Sequence, residues 1–77
     1  MKTTEESVRE VIAAHLEISP ERVQPGQRLE RDLDLRPLDV VLLALDLEDV
    51  SHVRLTFDEL DRVETVDDLV RLVDAAF

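Results

Sequence analysis

The stretch that most constrains the fold runs from Leu38 to Leu47, which has eight apolar residues, two acids and neither glycine nor proline. Pro37 precedes it, and proline suits the first helical position because its φ angle is fixed near the helical value and it lacks the N–H that would be unpaired there. We therefore predict a helix from Pro37 to Asp49. Since apolar side chains occur nearly all round this helix, we expect burial on more than one side. The predicted core face comprises Leu38, Val41, Ala44, Leu45 and Leu47.

Three further helices are predicted from capping signals and apolar spacing. Thr3 or Thr4 followed by Glu6 resembles a capping box, and the apolar periodicity that follows indicates a helix over residues 4–16. A short helix over residues 57–62 is expected to be anchored by Phe57 and Leu60. Thr65 is predicted to cap the last helix. The apolar face of that helix comprises Val66, Leu69, Val70, Leu72, Val73 and Ala76.

A long connection over residues 17–36 joins the first two helices. Ser19 to Arg22 has the form of a cap and one helical turn, and Pro25-Gly26 is the strongest turn signal in the chain. Because connections of this length are uncommon unless they are pinned or functional, we expect apolar anchors within the loop. The anchors are Leu29, Leu33 and Leu35. Residues 51–56 are also predicted to form a loop, with Leu55 pointing inward.

These elements predict an all-α fold, a small antiparallel bundle of three main helices and one short helix. The 77 residues are expected to form one domain spanning residues 1–77. The chain has no cysteine, which excludes disulfides and thiolate metal sites. Stability must therefore come from a compact apolar core and from the helix caps.

The charge balance restricts the partners of the chain. Nineteen acidic residues against nine basic ones give a formal net charge of −10, which repels nucleic acid and anionic membranes and favours a basic protein surface. The two phenylalanines are the only aromatic residues, which argues against base stacking. No apolar run resembles a signal peptide or a membrane span. We therefore predict a cytoplasmic protein that neither binds nucleic acid nor inserts into membranes.

Motifs for catalysis or metal binding are lacking in the sequence. There is one glycine and therefore no glycine-rich phosphate loop, and no nucleophile elbow occurs. Asp32-x-Asp34 begins like a calcium loop, but Arg36 and Pro37 occupy the next ligand and glycine positions. His15 is predicted to be a packed or boundary residue, because no second ligand lies one turn away. We therefore predict no catalytic residue, no metal site and no enzyme activity.

The order of the elements, the acidity and the local sequence resemble an acyl carrier protein of the phosphopantetheine-attachment type. Members of this family read like D-L-G-x-D-S-L-D/E ahead of an apolar helix that ends in acids, and here Asp32-Leu33 and Leu38-Asp39 match. The matching positions keep the family's spacing without a gap from about residue 16 to residue 66, so the resemblance covers nearly the whole chain. Further matching positions are Leu16, Ile18, Val23 and Leu29, then Val41, Ala44, Leu47, Glu48 and Asp49, then Leu55, Asp58, Glu59, Val63, Thr65 and Val66.

The departures from the family pattern fall where the family carries its prosthetic group. Asp34 stands at the motif glycine and Arg36 at the motif aspartate. Pro37, flanked by Arg36 and Leu38, stands at the serine whose hydroxyl would carry phosphopantetheine. Because proline has no hydroxyl, the resemblance implies a divergent member with no cofactor-binding residue and no phosphopantetheine.

The resemblance also implies a partner-binding face on the second helix, where the family presents acids to Arg and Lys patches of acyl-assembly or natural-product enzymes. The matching positions are Asp39, Leu42, Leu45, Glu48 and Asp49. Leu42 stands where the family usually has an acid. It is either exposed, in a partner groove or a homodimer seam, or buried by a slight rotation of the helix. The expected oligomeric state is a monomer or a weak homodimer.

Two other functions remain open from the sequence. The chain could be a working acyl carrier that is modified at another serine, of which Ser51 follows the second helix. It could also be a small acidic regulatory or interaction protein whose fold only converges on carrier proteins. The hypothesis that the sequence favours is a carrier-like binding module without a prosthetic group.

Overall fold

Four α-helices organise the chain in the computed structural model, which describes residues 2–77. The helices are α1 (Thr4–Leu16), α2 (Pro37–Ser51), α3 (Phe57–Asp61) and α4 (Val66–Ala75), and a single 3-10 turn covers Pro20–Arg22. Helix α1 packs against both α2 and α4, and α2 also packs against α3. The predicted all-α architecture of three main helices and one short helix is confirmed. None of the helices within residues 2–77 has the length and apolarity needed to cross a bilayer.

The helix starts follow the capping signals in the sequence. The N–H of Glu6 donates to Oγ1 of Thr3 at 3.1 Å, which identifies Thr3 as the cap of α1. Thr65 accepts from the N–H of Asp68 at 3.1 Å and caps α4 as predicted. Helix α2 extends two residues beyond the predicted end and stops at His52, which adopts a left-handed conformation with φ of 56°. Reciprocal side-chain bonds therefore fix α1 and α4 at their first turns.

The long first loop is held by its apolar anchors and by the start of α4. Leu29, Leu33 and Leu35 are all buried, as predicted. The loop backbone also pairs with the segment before α4, since the N–H of Leu29 donates to the carbonyl of Glu64 at 2.9 Å. This pairing brings residues 28–31 close to α3 and α4. The loop is therefore an ordered wall of the bundle.

Two predictions about buried residues are wrong. Phe57 does not anchor α3, because it is the first residue of that helix and 74% exposed, while Leu60 alone is buried there. On α2, the buried residues are Leu43, Ala44 and Leu47, whereas Leu38 and Leu45 are exposed. The true core face of α2 is therefore rotated about the helix axis relative to the predicted one. The expectation that α2 is buried on more than one side is also wrong. In a bundle this small, one side of α2 has no helix to cover it.

Candidate functional site

The first turn of α2 is capped by Asp39 and not by the residue at its N-terminus. Arg36 occupies the N-cap, but a guanidinium only donates hydrogen bonds and cannot accept from the helix N–H groups. Instead, the Arg36 N–H donates to Oδ2 of Asp39 at 2.8 Å. Pro37 is the first helical residue and lies on the surface. Just before it, Asp34 adopts a left-handed backbone with φ of 56°.

A second bond ties Asp39 to the end of α1. Its Oδ1 lies 3.0 Å from Nε2 of His15, and both side chains are only partly exposed. The Arg36 N–H, and then His15, hold the pKa of the Asp39 carboxyl below its usual value. His15 is thus a boundary residue paired to a carboxylate. No three His, Cys, Asp or Glu side chains within residues 2–77 come together in a group that could hold a metal ion.

Glu48, like Asp39, bonds within the chain. Its Oε2 accepts a hydrogen bond from the N–H of Leu55 at 2.9 Å and so holds the loop that follows α2. The side chain is half-buried, whereas the neighbouring Asp49 is exposed. Two of the five predicted partner-binding residues, Asp39 and Glu48, therefore serve the fold of the chain itself. They are less available to a partner than their charge implies.

The other three residues predicted to bind a partner lie together on one exposed face. Leu42 and Leu45 are 44% and 56% exposed, so the alternative in which Leu42 is buried is wrong. Leu38, which is 69% exposed, joins them because positions 38, 42, 45 and 49 are spaced i, i+4, i+7 and i+11. We call Leu38, Leu42, Leu45 and Asp49 the outer face of α2. The same spacing could have identified Leu38 from the sequence.

The charged side chains within α2 and α3 have a single sign. Helix α2 contains four acids and no Lys, Arg or His, and α3 contains three acids and no basic residue. An apolar face on a helix whose charged side chains are all carboxylates favours a partner that combines apolar and cationic side chains.

A groove opens beside Pro37, between the first loop, the start of α2 and α3. Its volume is about 610 Å³, and its apolar lining includes Pro37, Val41, Phe57 and Leu60. Sequence reasoning missed this groove. It forms because residues 28–31 approach α3, and no local sequence pattern indicates that contact.

None of the three serines belongs to the first turns of α2. Ser51 is the last residue of α2, about 21 Å along the helix from Pro37 at the rise of an α-helix. Ser7 lies within α1, and Ser19 precedes the 3-10 turn. The groove beside Pro37 is lined by none of the three serines.

Comparison with known proteins gives consistent matches along most of the chain. The family described as "Phosphopantetheine attachment site" matches residues 6–73. The acyl carrier protein of Helicobacter hepaticus is 33% identical over 72 residues, which cover 94% of this chain and 95% of that protein. The acyl carrier protein of Wolinella succinogenes is 30% identical over 69 residues, covering 90% and 91% respectively. A solved structure from Mycobacterium tuberculosis, described as an acyl carrier protein, superposes with a TM-score of 0.87 at 25% identity and covers 97% of this chain and 100% of that one.

Proposed function

The chain belongs to the acyl carrier protein family, and on that basis we propose that it is a carrier-like binding module without a phosphopantetheine group. Members of this family are carriers and not enzymes, they normally bear phosphopantetheine, and they interact with enzymes that assemble acyl chains. Membership argues against the alternative of an unrelated acidic protein that only converges on this fold.

The observation that carries the proposal is the residue at the start of α2. Attachment of phosphopantetheine needs a side-chain oxygen that attacks the pyrophosphate of coenzyme A. Pro37, the first residue of α2, provides none, and the nearest serine on the same helix is Ser51 at its far end. The proline also initiates the helix well, so its place in the fold has a structural reason.

The retained function in this proposal is docking through α2. Leu42, Leu45 and Asp49 face outward, and Leu38 extends their surface toward the start of the helix. Apolar contact would supply affinity, while the acids would steer a basic partner to the face. We propose that the partner is an enzyme of acyl or natural-product assembly. We also propose that residues 1–77 form a single domain and that the protein is cytoplasmic.

A mass measurement of the intact protein tests the absence of the prosthetic group. The protein is incubated with a phosphopantetheinyl transferase and coenzyme A, beside the Helicobacter hepaticus relative as positive control. We expect the relative to gain a phosphopantetheine adduct and this chain to keep its mass. An adduct on this chain would refute the proposal, and peptide mapping would then show whether Ser51 carries it.

Two variants separate the loss of the hydroxyl from a failure to bind the transferase. Pro37→Ser restores only the hydroxyl, and a triple variant with Asp34→Gly, Arg36→Asp and Pro37→Ser restores the motif around it. We expect the triple variant to be modified. Modification of Pro37→Ser alone would show that the proline is sufficient to block the reaction.

A further inference from the structure

The groove beside Pro37 is continuous with the outer face of α2. Val41 lines the groove, and on the helix surface it is three residues from Leu38 and four from Leu45, which makes it a direct neighbour of both. A partner lying on the outer face therefore reaches the edge of the groove without crossing a polar strip of α2. This continuity makes the groove part of one larger docking surface.

Phe57 gives the groove an exposed apolar wall. It is 74% exposed at the start of α3, while Leu60, one turn later, is buried at the base of the same groove. The volume of about 610 Å³ lies within the roughly 300–1,000 Å³ of typical ligand pockets, which is room for a large side chain. An aromatic wall and an aliphatic floor suit an apolar occupant.

The charges around the groove indicate which kind of apolar ligand it can bind. Three acids line it, Glu30, Asp61 and Glu64, against the two arginines Arg28 and Arg31. The Arg28 guanidinium is already paired, with its Nη1 3.5 Å from Oε2 of Glu64. Because this pair neutralises Glu64 as well, Glu30 and Asp61 remain against Arg31, and the groove keeps a net negative charge. That charge disfavours the carboxylate of an anionic amphiphile such as a fatty acid. A second copy of the chain is also disfavoured, because each copy carries a net charge of −10.

We propose that the groove receives an apolar side chain of a cationic segment of the partner protein. The segment lies on the outer face of α2, inserts the side chain between Pro37 and Phe57, and places its cationic groups near Asp61 and Glu30. The inference rests on the proposed docking through α2 and adds a second anchor to it. The partner thus occupies the space next to the residue at which the family would bear its prosthetic group.

Titration with designed peptides, followed by NMR of the labelled full-length protein, tests the inference. The probe is an amphipathic peptide of about 14 residues, roughly four helical turns, with arginines and a single Phe. We expect shifts of the amide resonances of Leu60 and Val63 together with those of α2. A matched peptide with Ala in place of Phe, and another with Glu in place of Arg, should each bind at least about tenfold more weakly.

The chain offers matched control variants. Phe57 and Phe77 are 74% and 73% exposed, so neither substitution by Ala should unfold the protein. Phe57→Ala should weaken binding of the arginine-phenylalanine peptide about tenfold, and Phe77→Ala less than about twofold. Asp61→Asn should weaken binding more than Asp58→Asn, because only Asp61 lines the groove.

Several outcomes would overturn the inference. Equal affinity of the Phe57→Ala and Phe77→Ala variants for the arginine-phenylalanine peptide would do so. So would a failure of that peptide to bind, or an alanine peptide that binds as tightly. Displacement of the peptide by dodecanoate, or a dimer that buries Phe57, would assign the groove to a lipid or to a second copy. Amide shifts confined to Leu42 and Leu45 would show that the groove is not an anchor, but they would still support docking on α2. The mass measurement tests independently whether the chain bears a prosthetic group.

Discussion

Helices α2 and α4 are both rich in apolar residues, but they use them differently. In α4 the large apolar side chains are buried or half-buried, and Val66, Leu69 and Val73 form its core face. In α2, Leu38, Leu42, Leu45 and Val50 remain exposed although the helix also supplies core residues. The apolar content of α4 is accounted for by folding. That of α2 exceeds what folding uses, and three of these four exposed side chains, Leu38, Leu42 and Leu45, lie on one face, which is the usual sign of an interaction surface.

The largest expected difference between the two helices is in how alanine substitutions change the free energy of unfolding. Leu69→Ala, at a side chain that is 1% exposed, should lower the free energy of unfolding by about 2–5 kcal/mol, because it removes packed atoms and leaves a cavity. Leu38→Ala, at an exposed side chain, should change it by no more than about 0.5 kcal/mol. Urea denaturation followed by circular dichroism measures both. A similar loss for Leu38→Ala would mean that the outer face of α2 contributes to the fold.

Partner binding should show the opposite ranking. Leu42→Glu should raise the dissociation constant for a co-purifying partner enzyme about tenfold, because it places a charge in the centre of the outer face. Ala75→Glu adds the same charge at an exposed position of α4 and should leave binding unchanged. Isothermal titration calorimetry gives both constants. Equal affinity of the Leu42→Glu variant and the unsubstituted protein would contradict docking through this face.

The helix starts differ as well, and alanine substitutions should reveal it. Thr65→Ala removes the acceptor for the Asp68 N–H and should cost about 1 kcal/mol of stability. Arg36→Ala removes a side chain that makes no cap at α2 and should cost at most about 0.5 kcal/mol. Thermal or urea unfolding of the two variants tests this. If Arg36→Ala proved the more costly change, the assignment of the α2 cap to Asp39 would be wrong.

The smallest expected effect is in the pH dependence. The Arg36 N–H and His15 hold the pKa of Asp39 below its usual value, so the ionised carboxylate stabilises the folded state above its unfolded pKa. This contribution is lost as the pH falls through the lowered folded pKa. Asp39→Asn should therefore make stability less dependent on pH below about 5, measured by urea unfolding at several pH values. Asp49→Asn, near the other end of α2, should keep the original profile.

Sequence reasoning predicted the elements of the fold well because each has a local cause. Thr3 and Thr65 provide caps, Pro37 starts α2, and the apolar spacing of α1 and α4 points to one core face. The same reasoning failed for α2, where apolar residues on nearly every side gave no indication of which face the bundle would cover. Only the packing of α1 and α3 against α2 decides that Leu43 is buried and Leu45 is not.

The candidate site was predictable in part. The resemblance marked positions 42, 45 and 49 as partner-binding, but it left the exposure of Leu42 open, and the apolar pattern placed Leu45 in the core. The intramolecular bonds of Asp39 and Glu48 were not predicted, because they join residues far apart in sequence or across a loop. Phe57 was assigned to the core because phenylalanine is usually buried. Its position directly after the cap of α3 turns it outward.

The left-handed backbone at Asp34 has a consequence for how this chain could change. A glycine would adopt φ of 56° without strain, yet an aspartate holds the same conformation here, so the path of the loop into α2 does not depend on glycine. Shape and reactivity are thus specified by different residues in this loop. A hydroxyl side chain introduced at position 37 would be placed on a loop whose backbone conformation is already set. The site for attachment can therefore be gained or lost at this position without a change of fold.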